Sequence, residues 1–264
     1  MRTLTSRVDV RTGDGAADAI LARPEGGGGY PGVLMFMDAF GLRPRLEQMA
    51  ARLAAEGYVV LVPNVFYRSG RPPLVDLTGL PDPDSRRRIF GRLAPLIAAL
   101  TPDLAVRDID AYLAHLGGHS AVSDGPVGTV GYCMGGALAL RTAAHFPDRV
   151  AAAASFHGGR LVTDDPSSPH RLADRITAEV YVAHADHDGS ATPEQQEILA
   201  DALSSAGVHF VAELYEEAAH GFTMADTAAW DAAAEERHWD RLLDLFGRAL
   251  QRRSQGAGPG TTVS

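Results

Sequence analysis

Short, continuously apolar runs recur along this chain, and between them lie stretches whose apolar residues return every three or four positions. The runs "VLMFM" (Val33 to Met37), "YVVLVPNVF" from Tyr58, "PVGTVGY" (Pro126 to Tyr132), "VAAAASFHGG" from Val150, "AEVYVAHA" (Ala178 to Ala185) and "VHFVAELY" (Val208 to Tyr215) read as strands. The first two are continuously apolar, of the kind buried on both faces of a parallel sheet. In "LEQMAARLAAEG" the residues Leu46, Met49 and Leu53 fall on one helical face, and Gly57 supplies the stop. Residues 86–116 read as mostly helical with a break near Pro102, and a last helix is expected over about 226–250. The helix "PEQQEILADALSS" carries the clearest start, with Thr192 and Gln195 at capping-box spacing and Pro193 at its first position. The first 22 residues instead alternate around "TGDG", which predicts an antiparallel hairpin.

Strand and helix alternate, so the expected architecture is α/β. Right-handed crossovers would build a mostly parallel sheet with helices on both faces. From Ser69 to Ser85 the chain is rich in Pro, Gly and Asp, which predicts an irregular, lid-like excursion. No internal repeat is visible. Residues 1–254 are read as one domain, and 255–264 as a disordered tail.

Composition narrows the chemistry. At 264 residues and 45% hydrophobic content a large core can form. All 24 basic residues are Arg, so a Schiff-base lysine and a Walker lysine are both excluded. The net charge of −9, with acids dispersed, disfavours nucleic acid as a partner. The single Cys rules out an intrachain disulfide and a Cys-based zinc cluster, which fits a cytoplasmic setting. "MRTLTSRVDVRTGDG" has no continuous apolar segment of the secretory kind, and no later run approaches the roughly 20 apolar residues of a membrane span. A membrane partner is not expected.

The lone cysteine lies just beyond a strand in Gly131-Tyr132-Cys133-Met134-Gly135, a G-x-C-x-G pattern. A turn tight enough to lift a nucleophile above a sheet needs small residues two places before and two places after it. Followed by the helix "MGGALALRTAAHF", the sulfur would sit at a helix N-terminus, where unpaired amides favour a thiolate. The plainer reading is a small buried Cys in a packing turn. Companions weigh against it: Asp186 and Asp188 follow one later strand and His220 follows the next, in the order nucleophile, acid, His. His157, His184 and His187 also fall near strand ends. His184 and His187 beside two Asp look like metal ligands, but residues this close in sequence rarely reach tetrahedral geometry, and no metal is expected.

Taken together, "MDAFGL", "AARLAAEGYVVLVPNVFYR", "GYCMGG", "HADHDGSATPEQ" and "AAHGF" resemble the dienelactone hydrolase family of the α/β-hydrolase superfamily, from about residue 5 to 250. The resemblance implies an α/β-hydrolase fold, no cofactor, and a small-molecule ester or lactone substrate. It implies Cys133 as nucleophile, His220 as general base and acid, and Asp188 as the orienting acid, with Asp186 the alternative. It places the oxyanion hole at the backbone amides of Met134 and Ala39. Two departures stand out. Where the family has a Glu that takes the thiol's proton, this chain has the shorter Asp38; where it has a carboxylate-binding Arg after the His, this chain has Met224. The second change argues against a small dicarboxylate-like lactone as substrate. Asp38, Phe40, Tyr67 and Phe222 are candidate substrate-binding residues, and each of the aromatics is at least equally readable as core packing. A thioesterase or general carboxylesterase with the same triad, and a catalytically silent ligand-binding member, are the alternatives. Oligomeric state is not legible.

Overall fold

A computed structural model describes residues 1–251 apart from 79 and 81, so the expected tail at 255–264 lies outside the described residues. The sheet has eight strands in the order β1-β2-β4-β3-β5-β6-β7-β8. The hairpin predicted at the N-terminus is β1 (Thr3–Thr12) and β2 (Gly15–Pro24), paired antiparallel, and β2 joins the rest antiparallel to β4 (Val59–Pro63). The remaining pairings are parallel, through β3 (Gly32–Phe36), β5 (Val127–Tyr132), β6 (Val150–Phe156), β7 (Glu179–His187) and β8 (Phe210–Ala219).

Every residue of β3, β4, β5 and β6 is buried, so both faces of the sheet centre are covered. The covering helices are α1 (Pro44–Ala55), α3 (Pro102–Gly117), α4 (Met134–His145), α5 (Pro193–Ser205) and α6 (Ala232–Phe246). Helix α1 is tied to α6 by Arg45–Glu235 and Arg52–Glu236, while α3 packs against α4. The capping box at Thr192 and Gln195 forms as its spacing predicts, and Pro193 opens the helix. No single helix among the described residues is long and apolar enough to cross a membrane.

Several boundaries shift: β4 stops at Pro63, within the run that begins at Tyr58, and β8 runs on to Ala219, past the Tyr215 expected from the sequence. The last helix begins at Ala232, because residues 223–231 are spent on turns that return the chain from β8. The excursion after Ser69 becomes helical at Pro83, where Asp82 accepts a hydrogen bond from the Ser85 amide and caps α2 (Pro83–Ala99). The excursion and α2 carry a separate small apolar cluster around Val75, Ile89 and Leu93, which also takes in Ala39 from the loop after β3. That cluster forms one wall of the candidate site.

Candidate active site

The site lies beyond the carboxyl ends of β3, β5, β6, β7 and β8, where α/β sheets bind ligands. Cys133 caps α4 with φ 55° and ψ −121°, a left-handed conformation that costs a non-glycine residue about 1–3 kcal/mol. The surrounding glycines explain how the turn can form. A Cβ on Gly131 would fall 1.8 Å from the Gly135 carbonyl oxygen, and one on Gly135 would fall 2.6 Å from that of Met37. No side chain fits at either place, so the G-x-C-x-G spacing is a steric condition of the bend. As the first residue of α4, Met134 has an amide with no intrahelical acceptor.

His220 follows β8 in a turn made possible by Gly221 at φ 98°. Its Nδ1 lies 2.7 Å from Asp188 Oδ2, which leaves Nε2 for Cys133, whose side chain lies close enough to raise the imidazole pKa. Asp188 is held by its own turn: Oδ1 accepts from the Ser190 amide at 2.8 Å and from its hydroxyl at 2.6 Å. Burial alone would raise the Asp188 pKa, but His220 and Ser190 outweigh it and the carboxyl lies below its usual value. Burial would likewise depress His220, but hydrogen bonds and charge from Asp188 and Cys133 dominate and push it up to about 10. Asp186 is exposed and accepts from the Glu217 amide at 3.1 Å, so of the two acids it is Asp188 that meets the imidazole. His184 is buried in β7 while His187 is exposed, because the last two residues of the strand run beyond the covered part of the sheet.

A residue set aside in the sequence completes the back of the site. The Cys133 amide is shared between the Phe156 carbonyl and Nδ1 of His157, which follows β6 with φ 40°, each 3.2 Å away. Nδ1 therefore carries no proton, and Nε2–H donates to Thr223 Oγ1 at 2.8 Å. Its ring stands edge-on to His220, with centroids 5.2 Å apart. Complete burial, then the neighbouring His220 and His238, hold its pKa well below the ordinary value. The only signal in the sequence was its place at a strand end.

A cavity of about 230 Å³ opens over Cys133, lined also by His157, His220, Ala39, Phe40 and Asp38. Its outer wall is apolar: Leu77 and Leu80 from the excursion, and Phe90 from α2, packed edge-on against Phe40 at 5.9 Å. Of the aromatic candidates Phe40 alone lines this cavity. Tyr67 is elsewhere, its hydroxyl accepting from Thr12 at 2.7 Å and donating to Asp108 at 3.1 Å. Phe222 is fully buried and stacked on Tyr215, behind His157. Both were placed by nearness to strand ends, which does not reveal the direction of a side chain.

Asp38 lines the cavity, but its carboxylate is already engaged. Arg43 Nη1 and Nη2 donate to its two oxygens at 2.7 and 2.8 Å, and the Phe40 amide adds a bond of 3.0 Å. Burial raises the Asp38 pKa, and the opposing pull of Arg43 only partly offsets that. A carboxylate pinned in this way anchors the Ala39 loop and is not free to collect a proton from the thiol. Asp38 therefore reaches the cavity with its carboxylate already paired to Arg43, and a direct contact between it and substrate stays a proposal. Arg43 itself carried no sequence signal, since its second partner, Asp226, lies 183 positions away.

A family model described as "Dienelactone hydrolase family" matches residues 17–250. The chain belongs to that family. A carboxymethylenebutenolidase from Rhodococcus opacus is 31% identical over 225 residues, spanning 83% of this chain and 81% of that one. A solved structure from Klebsiella pneumoniae superposes with a TM-score of 0.82 at 22% identity, over 94% of this chain and 100% of the other. A dienelactone hydrolase-like promiscuous phosphotriesterase from metagenomic libraries superposes at 0.75 with 25% identity, over 94% and 99%. Membership in this family makes the protein an ester or lactone hydrolase with an α/β-hydrolase fold.

Proposed function

We propose that the protein cleaves small-molecule esters or lactones through Cys133, His220 and Asp188 by way of an acyl-enzyme. The observation that carries this reading is that the His220 imidazole, held 2.7 Å from the Asp188 carboxylate, lines the same cavity as Cys133 and has its pKa raised by both. In the first half-reaction the thiolate sulfur bonds to the substrate carbonyl carbon, and the carbonyl electron pair moves onto oxygen. The amides of Ala39 and Met134 stabilise that charge. Collapse re-forms the carbonyl and expels the alkoxide, which takes the proton from the His220 imidazolium. In the second half His220 removes a proton from water, whose oxygen displaces the sulfur and restores the thiolate and imidazolium. Asp188 keeps the imidazole oriented and steadies its positive charge throughout.

Replacing Cys133→Ala is expected to lower turnover of an activated aryl ester by about 10⁴-fold or more, with the circular dichroism spectrum unchanged. Turnover that survives in this variant would show the sulfur to be incidental.

A further inference from the structure

The charge of the cavity depends on how Arg43 is used. The guanidinium is 9% exposed and has five N–H groups to donate. Nη1 donates to Asp38 Oδ1 and, at 3.2 Å, to the Gly41 carbonyl; Nη2 donates to Asp38 Oδ2, and reaches Asp226 Oδ1 and the Met224 sulfur, each at 3.3 Å. Nε donates to Asp226 Oδ2 at 2.5 Å. Every donor is committed, so none remains for a ligand. Asp38 and Asp226 both line the cavity, and the cation between them does not. Two carboxylates to one guanidinium leave this wall with a formal charge of −1, and Asp226 is its more open member, with 35% of its side chain accessible.

We infer that Asp226 is a specificity-determining residue that excludes anionic substrates, and that the enzyme acts on esters or lactones with no carboxylate on the part meeting this wall. The inference rests on the proposed role of Cys133 in ester cleavage. It goes beyond the absence of an arginine at Met224. A cation does reach that position, lying against the methionine sulfur, but two acids neutralise it and one of them faces the substrate. The side chains of Phe40, Leu77, Leu80 and Phe90 offer an anion no donor, and the Thr227 hydroxyl beside Asp226 is already given to the Met224 carbonyl at 3.0 Å. A neutral acyl chain meets no such conflict.

The test compares 4-nitrophenyl heptanoate with mono(4-nitrophenyl) adipate, a pair of similar length that differs by one charge. The wild-type protein is expected to favour the neutral ester in kcat/KM by on the order of 100-fold, and Asp226→Asn to narrow that ratio by about tenfold, since it removes one close like charge. Asp226→Glu should restore the discrimination. The neutral ester is the internal standard within each variant, so a general loss of activity cancels from the ratio. A wild-type ratio near one, or a ratio unchanged in Asp226→Asn, overturns the assignment.

If neither ester is cleaved, the hydrolase reading fails, but the charge of the wall can still be read. Cys133 is the chain's only cysteine, so its rates of alkylation by iodoacetamide and iodoacetate, each normalised to free cysteine, report on the cavity directly. Asp226→Asn must lower the iodoacetamide-to-iodoacetate ratio, with Asp226→Glu restoring it. An unchanged ratio sinks the proposal on its own.

Discussion

The two walls of the cavity are built in opposite ways. In the inner wall Cys133 and His157 stand on the ends of the fully buried strands β5 and β6 and His220 on the end of the edge strand β8, and each polar atom that positions these side chains has a named partner. The outer wall, formed by Leu77, Leu80 and Phe90, comes from an excursion outside the sheet, and Phe90 remains 47% exposed. The inner wall is over-determined because attack on a carbonyl tolerates little error in position. The outer wall only has to exclude water and accept an acyl group, so apolar side chains suffice without fixed polar geometry. This contrast predicts where substitution will be felt.

The largest effect is expected at Gly131. An added Cβ would meet the Gly135 carbonyl oxygen at 1.8 Å, and backbone cannot rotate away as a side chain can. Gly131→Ala should cost about 4 kcal/mol or more, measured as the shift of the urea unfolding midpoint, with loss of esterase activity. A variant of near-native stability would show the bend to be softer than its contacts imply.

The acid side of the stability profile comes next. His157, His184 and His238 are buried, and burial holds all three below the ordinary imidazole value: His157 well below it, His184 at about 4 and His238 at about 3. The unfolded chain would bind a proton at each near pH 6.5 that the folded chain refuses, so stability falls as the pH drops below that point. Three protons correspond to at most about 4 kcal/mol per pH unit near pH 5. His220 behaves in the opposite sense. Its pKa is raised to about 10, so its contribution is complete below pH 6.5 and is lost as the pH climbs toward 10. Stability should therefore peak near neutral pH and decline on both sides, and a flat profile from pH 7 to 4.5 would contradict the neutral state of the three buried imidazoles.

The smallest effect is expected on the outer wall. Phe90→Ala should change unfolding free energy by less than about 1 kcal/mol, because the ring is already half in water. The KM for neutral aryl esters should rise by about three- to tenfold, the cost of lost apolar contact, with kcat little changed. A fall in kcat as large as the rise in KM would mean that the outer wall also positions the reacting carbonyl.

The same contrast governs what the sequence reveals. The sheet centre is legible because strands covered on both faces are apolar or small at nearly every position, and β3, β5 and β6 were each visible as such runs, interrupted only by the buried hydroxyls of Thr129 and Ser155. The bend at Cys133 is legible because its steric demand falls on residues two positions away. The acid is only half legible, since Asp186 and Asp188 follow the same strand and a shift in register between Ala185 and His187 decides which turns inward. The Asp38–Arg43–Asp226 cluster is not legible, because ion pairs across such separations leave no periodic trace. Tyr67 and Phe222 show the same limit, for an aromatic at a strand end can face a ligand or the core with no change in local pattern.

Gly135 carries one further consequence. Without a methyl group there, the start of α4 rests on the carbonyls of Phe36 and Met37, so the strand leading into the Ala39 loop and the turn bearing the sulfur share a single footing. Thermal jitter then displaces the oxyanion donors and the attacking atom as one piece, and their spacing survives the motion. Whatever breathing a bulky acyl chain requires must come from the flap across the cleft.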